Sequence, residues 1–334
     1  MKIAFFEIEK ESRDYLQKNL SKHELLFFKD DLDENNINFV NDVDILCIFI
    51  YSKLDKGKIS KFKNLKAVIT MSTGFDHIDL KECVRKKIKV LNIPYYGENT
   101  VAEHTFALIL DLSRRLHPSI EKTKRGNFSL DGLRGFDLKG KTIGIIGLGH
   151  IGEHVARIAN GLEMKILVST PEKNKKLERK YCLKYTSLKN LLKNSDIITL
   201  HCPLNKKTHH LINEKNINEI KEGAYIINTA RGGLIKTKAL AKALASKKLG
   251  GAALDVLEEE VLIKEEIQLL SKRFSKKNLE NVIADHILLT FENVIITPHN
   301  AFNSIESLKR ILDVTINNII CVASGKKCEN VVGV

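Results

Sequence analysis

What this chain of 334 residues lacks narrows it first. Its longest apolar run, Ile45 to Tyr51, falls far short of the roughly 20 residues that span a bilayer. The start, Met1 to Phe6, is a short apolar stretch met at once by Glu7 and Glu9, without the long apolar core of a signal peptide. A soluble, cytoplasmic protein with no membrane partner is expected. Six cysteines occur (Cys47, Cys83, Cys182, Cys202, Cys321 and Cys328), none in C-x-x-C spacing. Neither a zinc ribbon nor a disulfide scaffold follows from that spacing, so buried free thiols and no metal are expected. Solenoid repeats and low-complexity tracts are absent as well. Acid is in deficit: 41 Asp and Glu against 54 Lys and Arg leave a net charge of +13. Such an excess admits a nucleic-acid, membrane or anionic-ligand partner, or simply a lysine-rich surface. No nucleic-acid motif accompanies it, the basic clusters are dispersed among acids, and stretches such as Lys53 to Lys66 and Lys272 to Lys277 read as solvated surface, so no nucleic-acid partner is expected. What is present is ordinary: 43% apolar residues supply buried cores, which excludes a fibrous or disordered chain, and the length suits about two domains.

Short apolar runs alternate with helical patterns. Lys2–Ile8, Glu24–Phe28, Val43–Ile50, Lys66–Met71 and Ile88–Leu91 read as strands. A second series runs through Lys141–Gly147, Met164–Ser169, Asp196–Leu200, Ala224–Asn228, Gly251–Val256 and Asn293–Thr297. Runs apolar on both faces suit parallel sheets covered by helices on both sides. The fold class is therefore α/β, with two doubly wound, parallel-sheet, Rossmann-like domains. Two long helices separate the series. One, Thr100 to His117, is ended by Pro118. The other, Asn303 to Ser324, opens on a capping box of Asn303 and Glu306 and closes at Gly325. Packing of the last helix back on the first series makes that domain discontinuous: residues 1–99 and 300–334 form a flavodoxin-like substrate domain, and residues 100–299 a dinucleotide-binding Rossmann domain.

Gly147-Leu148-Gly149-His150-Ile151-Gly152 matches G-x-G-x-x-G. A strand precedes it and an apolar helix follows, so the pattern has its proper frame. Gly147 permits the tight turn, Gly149 lets backbone approach a pyrophosphate, and Gly152 allows close helix–strand packing. An anion would sit on the helix N-terminus, beside His150 and Ile151. An acid is expected about 20 residues on, to hold the adenosine ribose. Here the second strand ends Ser169-Thr170-Pro171 and is followed by Glu172, Lys173, Lys175, Lys176, Arg179 and Lys180. Two readings stay open: cations that accept the 2′-phosphate of NADP, or a solvated helix end beside NAD held by hydroxyls and backbone.

Three polar residues follow strands of the second series, at the edge where open α/β sheets bind ligands. Arg231 follows Tyr225–Asn228, Glu260 lies past Leu254 and Asp255, and His299 follows Val294–Pro298. Reduction of a 2-keto acid needs a planar cation for the carboxylate, a group that donates a proton near neutral pH, and an acid that raises its pKa. Arg231, His299 and Glu260 supply these types in that order. Singly each has a duller reading, a cap, a solvated acid or a turn histidine; jointly, after a dinucleotide turn, they point to one site.

These motifs, with Asn228-Thr229-Ala230-Arg231-Gly232, Leu254-Asp255-Val256 and Thr297-Pro298-His299-Asn300-Ala301-Phe302, resemble the D-isomer-specific 2-hydroxyacid dehydrogenases over nearly the whole chain. The resemblance implies Arg231, Glu260 and His299 as the catalytic set, Glu260 being chosen over Glu258 and Glu259 by its spacing from Arg231. It implies Asp255 at the nicotinamide carboxamide, Thr229 and Ala230 beside the cofactor, and His201, Cys202 and Pro203 in a cofactor-side loop. Ser72, Thr73 and Gly74 resemble the loop that faces the substrate carboxylate, and Tyr96 the substrate-side tyrosine of the D-lactate dehydrogenase branch. That branch is the nearest match, because Val261 to Glu292 resembles its helical insertion. Val261 itself stands where many relatives have proline. Val101 to Phe106 resembles the start of the family's dimer-forming helix, which implies a homodimer through the helix around residues 100–117. The expected activity is NAD- or NADP-dependent interconversion of pyruvate, or a close analogue, and the D-2-hydroxy acid. Alternatives are a dinucleotide-sensing, corepressor-like protein, a hydroxypyruvate or glyoxylate reductase, or a phosphoglycerate dehydrogenase. The regulated kind of the last is disfavoured, since nothing resembling its regulatory domain follows Val334.

Overall fold

A computed structural model describes residues 1–258, 284 and 286–332. The chain divides into two compact units, Met1–Tyr96 with Asn303–Val334, and Gly97–Phe302.

The first unit is built on a six-stranded sheet. Its strands are β1 (Lys2–Phe5), β2 (Glu24–Phe27), β3 (Ile45–Ile48), β4 (Ala67–Thr70), β5 (Lys89–Leu91) and a C-terminal β13 (Val331–Val332), in the order β13-β5-β4-β3-β1-β2. All pairings are parallel except that of β13 with β5. The central β3 and β4 are buried along their whole length, which explains why they read as unbroken apolar runs rather than alternating ones. Helices α1 (Lys10–Asn19), α2 (Lys56–Lys61), α3 (Leu80–Arg85) and the last helix, α10 (Ile305–Ala323), belong to this unit.

The second unit holds a seven-stranded, all-parallel sheet ordered β12-β11-β10-β9-β6-β7-β8. The strands are β6 (Thr142–Ile146), β7 (Lys165–Ser169), β8 (Lys184–Tyr185), β9 (Ile197–Leu200), β10 (Ala224–Asn228), β11 (Leu249–Leu254) and β12 (Val294–Ile296). Helices α4 (Glu98–Arg114), α5 (Leu116–Lys124), α6 (His150–Gly161), α7 (Lys175–Lys180), α8 (Leu188–Asn194) and α9 (Thr237–Ala245) complete it. Two separate apolar clusters line the sheet. One joins Phe106 and Ile109 of α4 to Val155 and Ala159 of α6; the other joins Leu191 of α8 to Leu240 and Leu244 of α9. The order reverses at β6 and β9, which run on to opposite sides of the sheet. A crevice at such a switch point is where doubly wound sheets take ligands.

Several local expectations are corrected. The helix expected at Thr100–His117 starts at Glu98 and stops at Arg114, because Arg115 takes a left-handed turn at φ 51°. Pro118 does not end it. It lies in the first turn of α5, where a missing N–H costs nothing. The N-cap of α10 is Ser304, whose hydroxyl accepts from Ser307 N, and not Asn303. Four cysteines are free, but Cys321 and Cys328 form a disulfide. Gly325, at φ 68°, turns the chain back at the end of α10 and returns Cys328 to Cys321. Cys182 is exposed rather than buried.

Candidate active site

The turn after β6 is held by contacts that only glycine permits. Gly147 has φ 94°, and a Cβ there would lie 2.8 Å from the backbone of His201 and Cys202. A Cβ on Gly152 would meet Gly147 O at 2.3 Å. Gly149, the N-cap of α6, is different: nothing stands within 4 Å of where its Cβ would be. The crowded glycines shape the turn and the open one leaves room at the N-terminus of α6, which fits a pyrophosphate. Gly147 N donates to Ser169 O at 2.9 Å, tying the turn to the end of β7. His150 Nδ1 lies 3.3 Å from Glu98 Oε1, and Ile151 is the next residue of α6.

Thr170, where an acid was expected, is followed by exposed Lys173 and then by α7. Lys175, Lys176, Arg179 and Lys180 line a hollow of about 560 Å³. Lys180 also lies 3.5 Å from Glu153 and over the ring of Tyr181. On the far side of the turn, His201 Nε2 lies 2.8 Å from Thr199 Oγ1. Burial pushes the His201 pKa down to about 3, so its ring is neutral near pH 7. Burial likewise pushes the Cys202 thiol up to about 11, which keeps it protonated. Pro203, the next residue, accepts from Thr208 Oγ1 at its carbonyl.

The same sheet edge carries Arg231 after β10, Asp255 after β11 and His299 after β12. Buried Asn228 organises the first bend: Oδ1 accepts from Ala230 N at 3.1 Å, and Nδ2 donates to Arg231 O at 2.9 Å. Thr229 is hydroxyl-bonded to Thr105 of α4 at 3.0 Å. Arg231 Nη1 donates to Ala230 O at 2.8 Å.

The third bend folds around one carboxylate. Asp255 has no exposed side-chain surface. Its Oδ1 accepts from Thr297 Oγ1 at 2.5 Å and Asn300 N at 2.7 Å, and its Oδ2 accepts from Ala301 N at 2.9 Å. His299 N donates to Asp255 O at 2.9 Å, and His299 itself sits at φ 53°. Burial alone would raise the pKa of Asp255; hydrogen bonds from His104, Thr297, Ala301 and Asn300 outweigh it and hold the carboxyl below its usual range. His104 of α4 completes the set, with Nε2 at 3.3 Å from Thr297 Oγ1 and 3.5 Å from Asp255 Oδ1.

Glu260 lies outside the described residues. Glu258 is committed elsewhere: Oε1 pairs with His210 Nε2 at 2.6 Å, and Oε2 accepts from Thr237 N and Oγ1, each at 3.1 Å. His209 stacks on His210, and with Glu258 these residues bring donor atoms within 4.8 Å of one another. Protein donors already satisfy both Glu258 oxygens, so the group needs no ion to explain it. In the first unit, Ser72 Oγ donates to Gly74 O at 2.6 Å, and Thr73 Oγ1 donates to Ile93 O at 2.9 Å. Both bonds brace the loop after β4. Tyr96 is half-buried and its carbonyl accepts from Arg310 Nε at 2.7 Å, while Tyr95 is exposed. Reading the sequence had missed His104, Thr297 and the His210–Glu258 pair. The first two lay inside recognised motifs, but nothing in their spacing showed that they meet.

The NAD-binding domain model of the D-isomer-specific 2-hydroxyacid dehydrogenases matches residues 106–301. The chain belongs to that family. The dehydrogenase is 37% identical over 339 residues to a 2-hydroxyacid dehydrogenase homolog of Haemophilus influenzae, covering 99% of each chain. It is 33% identical to the D-lactate dehydrogenase of Escherichia coli, again over 99% of each. Among solved structures, the D-lactate dehydrogenase from Aquifex aeolicus complexed with NAD and lactic acid matches with a TM-score of 0.87 and 38% identity, over 97% of this chain and 96% of that one. The dehydrogenase is thus an oxidoreductase of D-2-hydroxy acids with an NAD-binding domain. Among its described residues, no helix is long and apolar enough to cross a membrane.

Proposed function

We propose that this dehydrogenase reduces pyruvate, or a 2-keto acid of similar size, to the D-2-hydroxy acid, with His299 as proton donor. The observation that carries the reading is the left-handed bend at His299, held by Asp255 on the sheet that also bears the glycine turn and Arg231. When bound, the nicotinamide supplies the hydride. Arg231 binds the substrate carboxylate through its planar fork and polarises the neighbouring carbonyl. His299 gives its proton to the alkoxide as it forms, and in the reverse direction takes it back. Glu260 favours the imidazolium of His299. Ser72, Thr73, Gly74 and Tyr96 are assigned to substrate binding on the family resemblance alone. Gly147, Gly149, His150, Ile151 and Gly152 would hold the pyrophosphate; Ser169, Thr170 and Lys173 would take the adenosine ribose; His201, Cys202, Pro203, Thr229 and Ala230 would complete the cofactor site. Asp255 would serve the nicotinamide end by shaping the bend that carries His299.

The substrate identity rests on the D-lactate dehydrogenase relatives and on this set of residue types. A steady-state panel of pyruvate, glyoxylate, hydroxypyruvate and bulkier 2-keto acids tests it: the highest kcat/KM is expected with pyruvate. Turnover of none of them would overturn the reading. For the cofactor, we propose that NADPH is accepted beside NADH, because Thr170 stands where an acid would repel a 2′-phosphate, and four cations of α7 follow it in the chain and line one hollow. A homodimer through α4 and α5 is proposed from their exposed apolar side chains.

A further inference from the structure

His299 stands, at φ 53°, in a left-handed backbone conformation that L-residues seldom adopt. Such a residue persists only where its surroundings over-determine it. Here three successive amides, those of His299, Asn300 and Ala301, all donate to one residue, Asp255. The His299 amide reaches the Asp255 main-chain carbonyl and also Thr297 O, whereas the next two amides reach the Asp255 carboxylate, so that carboxylate fixes the chain just past His299. That carboxylate is fully buried and, when ionised, accepts only. The single hydroxyl proton of Thr297 is committed to Asp255 Oδ1 at 2.5 Å. The proton between Thr297 Oγ1 and His104 Nε2, 3.3 Å apart, must then belong to His104. The hydrogen bonds thus run one way, from His104 Nε2–H to Thr297 Oγ1–H to Asp255, and so to the bend. His104 is anchored on α4, with 19% of its side chain exposed.

We propose that His104 is a positioning residue for the reaction: its Nε2–H orients the Thr297 hydroxyl, completes the donor set on Asp255, and so holds His299 where it delivers its proton. This rests on the reading of His299 as proton donor. His104 touches neither substrate nor the reacting atoms in this role, and the chemistry it serves needs no proton from it.

The test uses the full chain with pyruvate and NADH. His104→Leu removes the donor and is expected to lower kcat about tenfold, the loss of one hydrogen bond within a charged set, with the KM for NADH unchanged. His104→Gln, which offers an amide N–H at similar reach, restores most of the lost turnover. Thr297→Val breaks the same chain one link later, so the double variant His104→Leu with Thr297→Val loses no more than Thr297→Val alone. Melting temperatures of all variants are recorded beside the rates. Wild-type kcat in His104→Leu, multiplying losses in the double variant, or a loss that follows the melting temperature and that Gln does not restore would each overturn the proposal. If His104→Leu does not fold, His104→Gln and Thr297→Ser against Thr297→Val decide it: both conservative variants must exceed Val in kcat. His299→Ala separates the two levels. If it keeps full turnover, the assignment of His299 falls and His104 with it. If it abolishes turnover while His104→Leu does not lower it, only the positioning role falls.

Discussion

At the scale of single residues, the site asks different things of neighbouring positions. His299→Ala is expected to lower kcat about 10²–10⁴-fold, the range for one well-placed acid or base. Arg231→Ala is expected chiefly to raise the KM for the 2-keto acid. Steady-state kinetics on the best substrate checks both. The glycine turn gives a sharper contrast. Gly147 has a positive φ and backbone at 2.8 Å, whereas Gly149 faces open space. Gly147→Ala therefore strains the fold and is expected to lower stability by about 1–3 kcal/mol. Gly149→Ala leaves the melting temperature intact but weakens NADH binding, because the methyl takes space the pyrophosphate needs. Thermal melts and NADH titrations distinguish the two, and equal melting temperatures would remove the steric reading. Arg231, His299 and the glycines were legible in the sequence because each follows an apolar strand directly. The Asp255 nest was not. Its other members lie 42 to 46 positions from Asp255, and His104 is 193 positions from Thr297. Only the fold puts them together. Glu258 is a further case: its place in an acidic run gives no sign that His210 and Thr237 hold it from 48 and 21 positions away.

At the scale of elements, the α4–α5 pair carries the next prediction. Leu110 of α4, Leu116 and Ile120 of α5, and Phe128 and Leu130 beyond it are all exposed, the last two at 79% and 81%. Exposed apolar side chains grouped along one stretch mark an interaction surface more often than scattered ones do. A second copy of the chain is the occupant that the family resemblance supplies. The wild-type chain is expected to run as a dimer by light scattering after size exclusion. Leu116→Glu with Ile120→Glu should shift it to monomer without loss of helix content, and a monomeric wild type would remove the proposal. Strands of four or more residues and the two long helices were legible in the sequence, within a residue or three at each end, whereas the shorter helices were not delimited. The misses have local causes. The strands β8 and β13 have two residues each, too few to show a period. The break at Arg115 depends on a left-handed turn taken by a residue that seldom adopts one. The disulfide depends on the reversal at Gly325, which spacing alone does not reveal.

At the scale of the whole molecule, the charge of +13 remains, and its exposed ion pairs, such as Lys139 with Glu163 and Lys309 with Asp313, add little to stability. A general positive field draws NADH and NADPH alike, and it fades beyond roughly 8 Å at physiological ionic strength. A cation that touches the 2′-phosphate acts only on NADPH. Removing the same charge from two places separates these effects. Lys175→Ala, Lys176→Ala and Arg179→Ala together strip the hollow on α7. Lys193→Ala, Lys242→Ala and Lys247→Ala together remove three exposed cations from other positions of the same unit. Both triple variants carry +10, by subtraction of three from +13. If α7 reads the phosphate, the first is expected to lower kcat/KM for NADPH about tenfold more than for NADH, on the order of what a few near-surface ion pairs contribute. The second should lower both cofactors by one small, shared factor, and that factor should vanish as salt is raised. The NADPH-specific loss should persist further into high salt, because contact pairs are screened less than distant charges. Equal ratios of NADPH to NADH in the two variants would mean that the surplus acts only as a field, and that Thr170 takes its ribose without help from the cations beside it.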